Sequence, residues 1–267
     1  MKNITVVTAL YNIQRQDMDG RKWDEYLEWF SQTLKLNCPM VIFVEEELVD
    51  FVNQYRNSYN TRVIVQKIED IPYYHLKEEM DSILQLKEYR ENIGCPDRIE
   101  CNYSLYSIIQ YSKFKWIEES ICGDYFDSDY YFWLDAGASR FFENFDPKLN
   151  FPGNAALEAL YNIGEKFLIQ LNTETYHDLV HSKKLSKEYF YDPRSFVCGT
   201  FFGMHRNIHF TILKKIENIF INDMIKNNNV NNEQIALAYL IKNNPELFEI
   251  FYRDNWKQIA LFEEMTK

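Results

Sequence analysis

Five apolar residues in a row, Tyr130-Tyr131-Phe132-Trp133-Leu134, end without transition at Asp135-Ala136-Gly137. A short run that is apolar at every position, and not only at alternate ones, reads as a strand buried on both faces. Helices must then cover the sheet on each side. Met40 to Val44 is a further run of this kind, and Ile4 to Leu10 is a β-branched, mainly apolar run that also reads as a buried strand, ended by the polar residues Asn12, Gln14 and Arg15.

Helical spacing fills the gaps between these runs. Trp23, Tyr26, Leu27, Phe30 and Leu34 lie on one helical face, which predicts a helix over 22–36 stopped by Cys38-Pro39. Residues 48–55 read as helix and 62–68 as strand. Helical patterns follow at 76–92 and 103–120, separated by Gly94-Cys95-Pro96-Asp97. Further strands are predicted at 166–171 and 196–203, and Ile208, Ile212, Ile216, Ile219 and Phe220 form another helical stripe. The Asn-rich run Lys226 to Asn232 reads as a solvated loop, with Asn232 as N-cap of the helix after it. Strand, helix, strand, helix, strand is the signature of an α/β fold. The expectation is a mainly parallel, doubly wound sheet with helices on both faces. With no repeat or linker composition, 1–267 is one domain, and 173–195 is a surface excursion from it.

Composition removes several function classes. Forty acidic against 29 basic residues give a net charge of −11, which does not suit a surface that tracks nucleic-acid phosphates. No stretch approaches the ~18 apolar residues that cross a bilayer. The first apolar run is too short and too β-branched for a signal peptide, so the expected setting is cytoplasmic. Five cysteines without a C-x-x-C pair read as free thiols rather than a zinc site or a disulfide framework. There is no G-x-x-x-x-G-K-[ST], no G-x-G-x-x-G after the first strand and no G-x-S-x-G. These absences exclude at motif level the nucleotide and hydrolase signatures that α/β chains often carry.

A carboxylate that terminates a buried strand is held at the sheet edge where α/β folds gather ligands. Asp135 there can bind a divalent cation or simply cap the turn, while Gly137 permits close approach. Two histidine pairs have i, i+4 spacing, His177 with His181 and His205 with His209. A zinc hydrolase needs H-E-x-x-H, and Asp178 and Arg206 stand where that Glu belongs. His205, just after a predicted strand, remains a candidate metal ligand beside Asp135. Tyr73-Tyr74, Phe141-Phe142 and Tyr189-Phe190-Tyr191 are either core filler or exposed faces that stack on a ligand, with Tyr189 to Tyr191 the first place to look for such contacts.

The apolar run with Asp135-Ala136-Gly137 and then Ser139-Arg140-Phe141 resembles the HtrL/YibB group, within the wider GT-A class of nucleotide-sugar enzymes. Thr8-Ala9-Leu10-Tyr11-Asn12-Ile13, followed by Arg15, Arg21 and Tyr26, resembles the first motif of that group. Cys38-Pro39-Met40-Val41-Ile42-Phe43 and Asn232-Glu233-Gln234 extend the likeness, in order, over nearly the whole chain. The resemblance implies a GT-A-like fold and a glycosyltransferase. Such an enzyme moves a hexose from a nucleoside diphosphate sugar, expected to be UDP-linked, to a hydroxyl of a glycan, lipopolysaccharide or glycosylated protein. It implies a donor held by Thr8, Ala9, Tyr11, Arg15, Arg21, Lys113 and Gly137, mainly in residues 1–140. Asp135, Glu233 and Gln234 are then catalytic, with Glu233 facing acceptor or sugar from the half over 141–267. The cofactor implied is Mn²⁺ or Mg²⁺ on Asp135, with His205 assisting.

One departure stands against that pattern. Most metal-dependent GT-A enzymes carry Asp-x-Asp at this strand end, whereas the third position here is Gly137. Asp127-Ser128-Asp129 has the spelling but precedes the run, which places it at the wrong end of the strand. Either another ligand completes the metal site or basic side chains replace the metal. The alternative outside enzymology is a GT-A-like module that binds a nucleotide sugar or glycan without turning it over.

Overall fold

The computed structural model describes residues 3–143, 151–172, 187–192, 197–253 and 259–267. Asn3–Leu10 is β1, Gln16–Asp19 is α1, Trp23–Thr33 is α2 and Met40–Val44 is β2. Val49–Asn53 is α3, Thr61–Val65 is β3, Lys77–Leu84 is α4, Lys87–Asn92 is α5 and Ser104–Gly123 is α6. Then come β4 at Ser128–Leu134, α7 at Asn154–Ile163, β5 at Phe167–Asn172 and β6 at Val197–His205. The chain closes with α8 at Arg206–Glu217, α9 at Glu233–Asn243, β7 at Phe248–Arg253 and α10 at Ala260–Met265.

The seven strands form one sheet in the order β3-β2-β1-β4-β6-β5-β7. Strands β3, β2, β1 and β4 pair in parallel, and so do β5 and β7. Strand β6 runs against both neighbours, so the sheet is mainly parallel with a single reversed strand. Side chains alternate across it into two cores. Val7, Val41, Tyr131 and Trp133 enter a large cluster with α6, α8 and α9 on one face. Val6, Ile42, Tyr130 and Phe132 enter a second cluster with residues of α2, α7 and α10 on the other. Burying β4 at nearly every position is what made its sequence continuously apolar.

Several expectations are corrected in detail. The single helix predicted over 76–92 is two, because Leu86 adopts extended backbone between α4 and α5. The stripe from Ile208 leaves the α-helix at Glu217 and continues as a π-helical turn, Asn218–Met224. Strand β7 went unpredicted, although Phe248, Ile250 and Tyr252 alternate.

The Asn-rich run is solvated only at its start, since Asn229, Val230, Asn231 and Asn232 are buried. Asn231 Nδ2 donates to the Phe190 carbonyl at 2.9 Å, and the Asn232 side chain accepts from the backbone of Gln234 and Ile235, as an N-cap should. Amides spent on neighbouring backbone can be buried, and composition alone does not reveal that.

Tyr189 and Phe190 are core side chains, so they do not present sugar-stacking faces; Phe190 packs on Tyr239. Most of 173–195, with His177 and His181, lies outside the described residues. Among the described residues no helix is long and apolar enough to cross a membrane. All five cysteines are free thiols.

Candidate active site

The strand order reverses between β1 and β4. Neighbouring connections there leave in opposite directions, and the carboxyl ends of the two strands splay open. The cleft at that point has two joined lobes. The first, about 400 Å³, is lined by Ala9, Tyr11, Arg15, Arg21, Asp135, Gly137 and Arg140 among others. The second, about 800 Å³, is lined among others by Arg98, Lys113, Gly199, Thr200, Glu233 and Gln234. Arg15, Arg21, Tyr106, Gln110, Asp135 and Arg140 border both.

Asp135 follows β4 directly, and its backbone N–H still bonds across to the Thr200 carbonyl at 2.9 Å, so the carboxylate sits on rigid sheet. Its Oδ1 accepts from Trp133 Nε1 at 2.6 Å. Trp133 in turn stacks on Trp116, and Trp116 on Tyr11, an aromatic column that fixes the floor of the first lobe. Oδ2 of Asp135 has no hydrogen-bond partner among the described residues.

Behind Asp135 lies a buried ion triad. The Lys113 ammonium stands 3.1 Å from Asp135 Oδ1 and 2.8 Å from Glu233 Oε1, and it donates to the Gly199 carbonyl at 3.0 Å. Three neighbours account for its three N–H groups. Lys113 and Glu233 are 1% and 2% exposed, while Asp135 is 27% exposed, so only Asp135 meets solvent. Burial pulls the Lys113 pKa down, but the Asp135 and Glu233 carboxylates outweigh it and hold the ammonium charged above the ordinary lysine range. Burial pushes Glu233 up, against the pull of Lys113. Gly199 makes the triad possible, since a Cβ there would lie 2.4 Å from Glu233 Oε1.

The loop after β4 is pinned to α2. Thr33 Oγ1 donates to the Ala136 carbonyl at 2.9 Å, and Ser139 Oγ to the Trp29 carbonyl at 2.7 Å. That brings Arg140 into the cleft with its guanidinium over the rings of Phe141 and Trp29, at 4.6 and 5.2 Å. A guanidinium held over aromatic rings keeps its five N–H donors for other partners. No hydrogen bond or ion pair engages them among the described residues. Arg15 donates to Tyr26 Oη at 2.7 Å, pairs with Asp19 and lies 5.0 Å from the Tyr106 ring centroid. Burial lowers the Arg140 pKa, as do Arg21 and then Arg15, with Asp135 opposing. The Arg21 and Arg15 charges therefore reach Arg140. Burial, then Glu233 and Glu100, push the Tyr106 hydroxyl up, so it remains a neutral donor.

Residues 2–263 match the family described as "Bacterial protein of unknown function (HtrL_YibB)". The chain belongs to the HtrL_YibB family. No curated protein sequence matches it. Mouse xyloside xylosyltransferase 1, in its apo form, is similar to this family member over 94% of this chain and 84% of that one. Identity is 10% and the TM-score 0.41, a likeness too slight to speak to activity.

In this HtrL_YibB chain the fold brings together nine of the residues singled out from sequence: Ala9, Tyr11, Arg15, Arg21, Lys113, Asp135, Gly137, Glu233 and Gln234. It does not bring Thr8, which is fully buried within β1 and lines neither lobe. Nor does it bring His205. That residue pairs across the sheet with Tyr130, the far end of β4 from Asp135, roughly 16 Å away at strand rise. Its Nδ1 accepts from the Asn207 backbone as the N-cap of α8. Asp127-Ser128-Asp129 is also at that far end, as expected.

Among the described residues the donor set does not make a resident metal site. Asp135 offers one open oxygen, Glu233 is closed off and tied to Lys113, and His205 is out of reach. No group of three acidic, Cys or His ligands occurs among the described residues. Sequence reasoning missed Arg140, Tyr106 and Gln110 as cleft residues. For Arg140 the signal was present, since it lies five residues after Asp135 in a motif already set apart. Tyr106 and Gln110 precede Lys113 at helical spacing on α6 and could have been read as one face with it.

Proposed function

We propose that this protein is a glycosyltransferase that moves a hexose from a nucleoside diphosphate sugar, UDP-linked in the first instance, to an acceptor hydroxyl. The observation that carries the reading is the cluster Arg15, Arg21 and Arg140 around Asp135 in one cleft of a protein whose net charge is −11. A leaving diphosphate needs such local positive charge, because stabilising it lowers the barrier to breaking the glycosidic bond. The placement at the strand-order reversal supports the same reading.

In this account the first lobe takes the donor, with its nucleotide toward Ala9 and Tyr11 and its diphosphate toward the arginines. Residues 1–140 then form the donor half, and most of 141–267 the acceptor side. Asp135 borders both lobes, and its open Oδ2 is the group that accepts the acceptor proton. Glu233 loses the role of base and becomes the buried partner that positions Lys113. Tyr106, Gln110 and Gln234 carry polar groups with no side-chain hydrogen bond among the described residues, which suits them to sugar hydroxyls.

The test is nucleotide release from a panel of UDP- and GDP-sugars, by wild type and Asp135→Asn. Release from one donor, lost in the variant, is the predicted result. Binding of UDP without release from any donor, even with glycan acceptors present, would favour a binding module instead.

A further inference from the structure

We propose that the cleft holds a pyrophosphate group without a metal ion: the Lys113 ammonium takes the cation's place beside Asp135, and Arg140, with Arg15 and Arg21, binds the anion. This deepens the transferase reading and rests on it for the nucleotide, while the anion subsite stands on its own geometry.

The position a divalent cation would take is already charged. Asp135 Oδ1 is occupied by the Lys113 ammonium at 3.1 Å and the Trp133 indole at 2.6 Å. The second carboxylate needed to complete a metal site is Glu233, which is 2% exposed and holds the same ammonium at 2.8 Å. A cation arriving at Oδ2 would stand beside the fixed charge of the Lys113 ammonium, which is 1% exposed and already pairs with this carboxylate. Hard cations gather several oxygen ligands, and one carboxylate oxygen does not suffice.

The anion's ligands are in place. The Arg140 guanidinium carbon lies 4.6 and 5.2 Å from the Phe141 and Trp29 ring centroids, and the group makes no hydrogen bond or ion pair among the described residues. Its fork of in-plane donors matches a phosphate edge. Arg15 and Arg21 share one acid, Asp19, and with Arg140 they outnumber the carboxylates that line the first lobe, Asp17 and Asp135. Burial first, and then the Arg21 and Arg15 charges, lower the pKa of Arg140, and an anion bound beside it offsets that repulsion. The lobe, about 400 Å³, has room for a diphosphate and part of what it carries.

The test is calorimetric titration of the full chain with inorganic pyrophosphate in EDTA, alongside titration with Mn²⁺ alone followed by its paramagnetic resonance signal. The expected result is saturable pyrophosphate binding in EDTA that weakens about tenfold or more in Arg140→Gln. Asp135→Asn should bind it as well or better, since a negative charge is removed. Free Mn²⁺ should show no saturable binding, a measurement on wild type that holds even if Asp135→Asn folds poorly. Pyrophosphate binding that appears only with Mn²⁺, Mn²⁺ binding lost in Asp135→Asn, or an Arg140→Gln affinity equal to wild type would each overturn the proposal. Pyrophosphate binding in EDTA with no nucleotide release from any sugar donor would remove the transferase reading and leave the anion subsite standing.

Discussion

Lys113 Nζ and Glu233 Oε1 stand 2.8 Å apart with almost no exposure to solvent, joining the middle of α6 to the first turn of α9. An ion pair so enclosed is costly to break from one side, because the remaining charge keeps its desolvation and loses its partner.

Lys113→Met should therefore destabilise the protein by about 3–5 kcal/mol in urea unfolding, as expected for an orphaned buried charge. The double variant Lys113→Met/Glu233→Gln should cost clearly less than the two single changes added together. Additive costs would mean that the two groups do not act as a pair.

Gly199→Ala probes the same triad from the strand side. The new Cβ would lie 2.4 Å from Glu233 Oε1 and 3.2 Å from Gln234 Cγ. Glu233 is held by Lys113, so the clash displaces the ion pair rather than a free side chain. A loss of about 1–3 kcal/mol is expected, as for other overpacked sites. A variant as stable as wild type would place the carboxylate elsewhere.

Thr8→Val separates fold from function at a residue the sequence suggested for donor binding. Thr8 Oγ1 is buried without a hydrogen-bond partner among the described residues, so removing the hydroxyl should be neutral or stabilise by up to about 1 kcal/mol. Ligand affinity should not change. A drop in UDP or pyrophosphate affinity would restore Thr8 to the site.

His209 gives a pH dependence remote from the cleft. It is fully buried on α8 with Nδ1 3.0 Å from Met204 Sδ, and burial, with the Lys115 charge adding to it, lowers its pKa to about 3. The unfolded chain takes up a proton near pH 6.5 while the folded one does not, so stability falls as pH drops below that value toward 3. Between pH 7 and 4.5 this group should remove about 2–3 kcal/mol, at 1.4 kcal/mol per pH unit. His209→Leu should flatten that part of the stability–pH curve. An unchanged slope would mean that His209 is protonated in the folded state.

Legibility in the sequence followed how directly burial writes itself into composition. β2, most of β1 and the last five residues of β4 are enclosed on both faces, so these runs are almost wholly apolar and their strands were readable. Asp135 was readable for the same reason, as the abrupt end of such a run. β7 lies at the sheet edge, where Phe248, Glu249, Ile250 and Phe251 give a weaker alternation. The triad was only half legible. Lys113 and Glu233 could each be singled out, but a lysine on a helix and a glutamate at a helix start look alike whether solvated or buried. Their pairing across 120 positions is a property of how α6 and α9 pack. His205 was misplaced because a single sequence does not say that β6 runs backwards, which carries its last residue to the opposite sheet edge.

The most direct test of the account is photolabelling with 5-azido-UDP, followed by mapping of the modified peptides. The central claim is that the nucleotide of the donor sits in the first lobe, at the ends of β1 and β4. Labelling is predicted within Ala9–Arg21 or Tyr106–Lys113, suppressed by excess UDP and reduced in Arg140→Gln. Labelling confined to the groove that Lys214, Asn218 and Asn243 border, or unaffected by UDP, would contradict it.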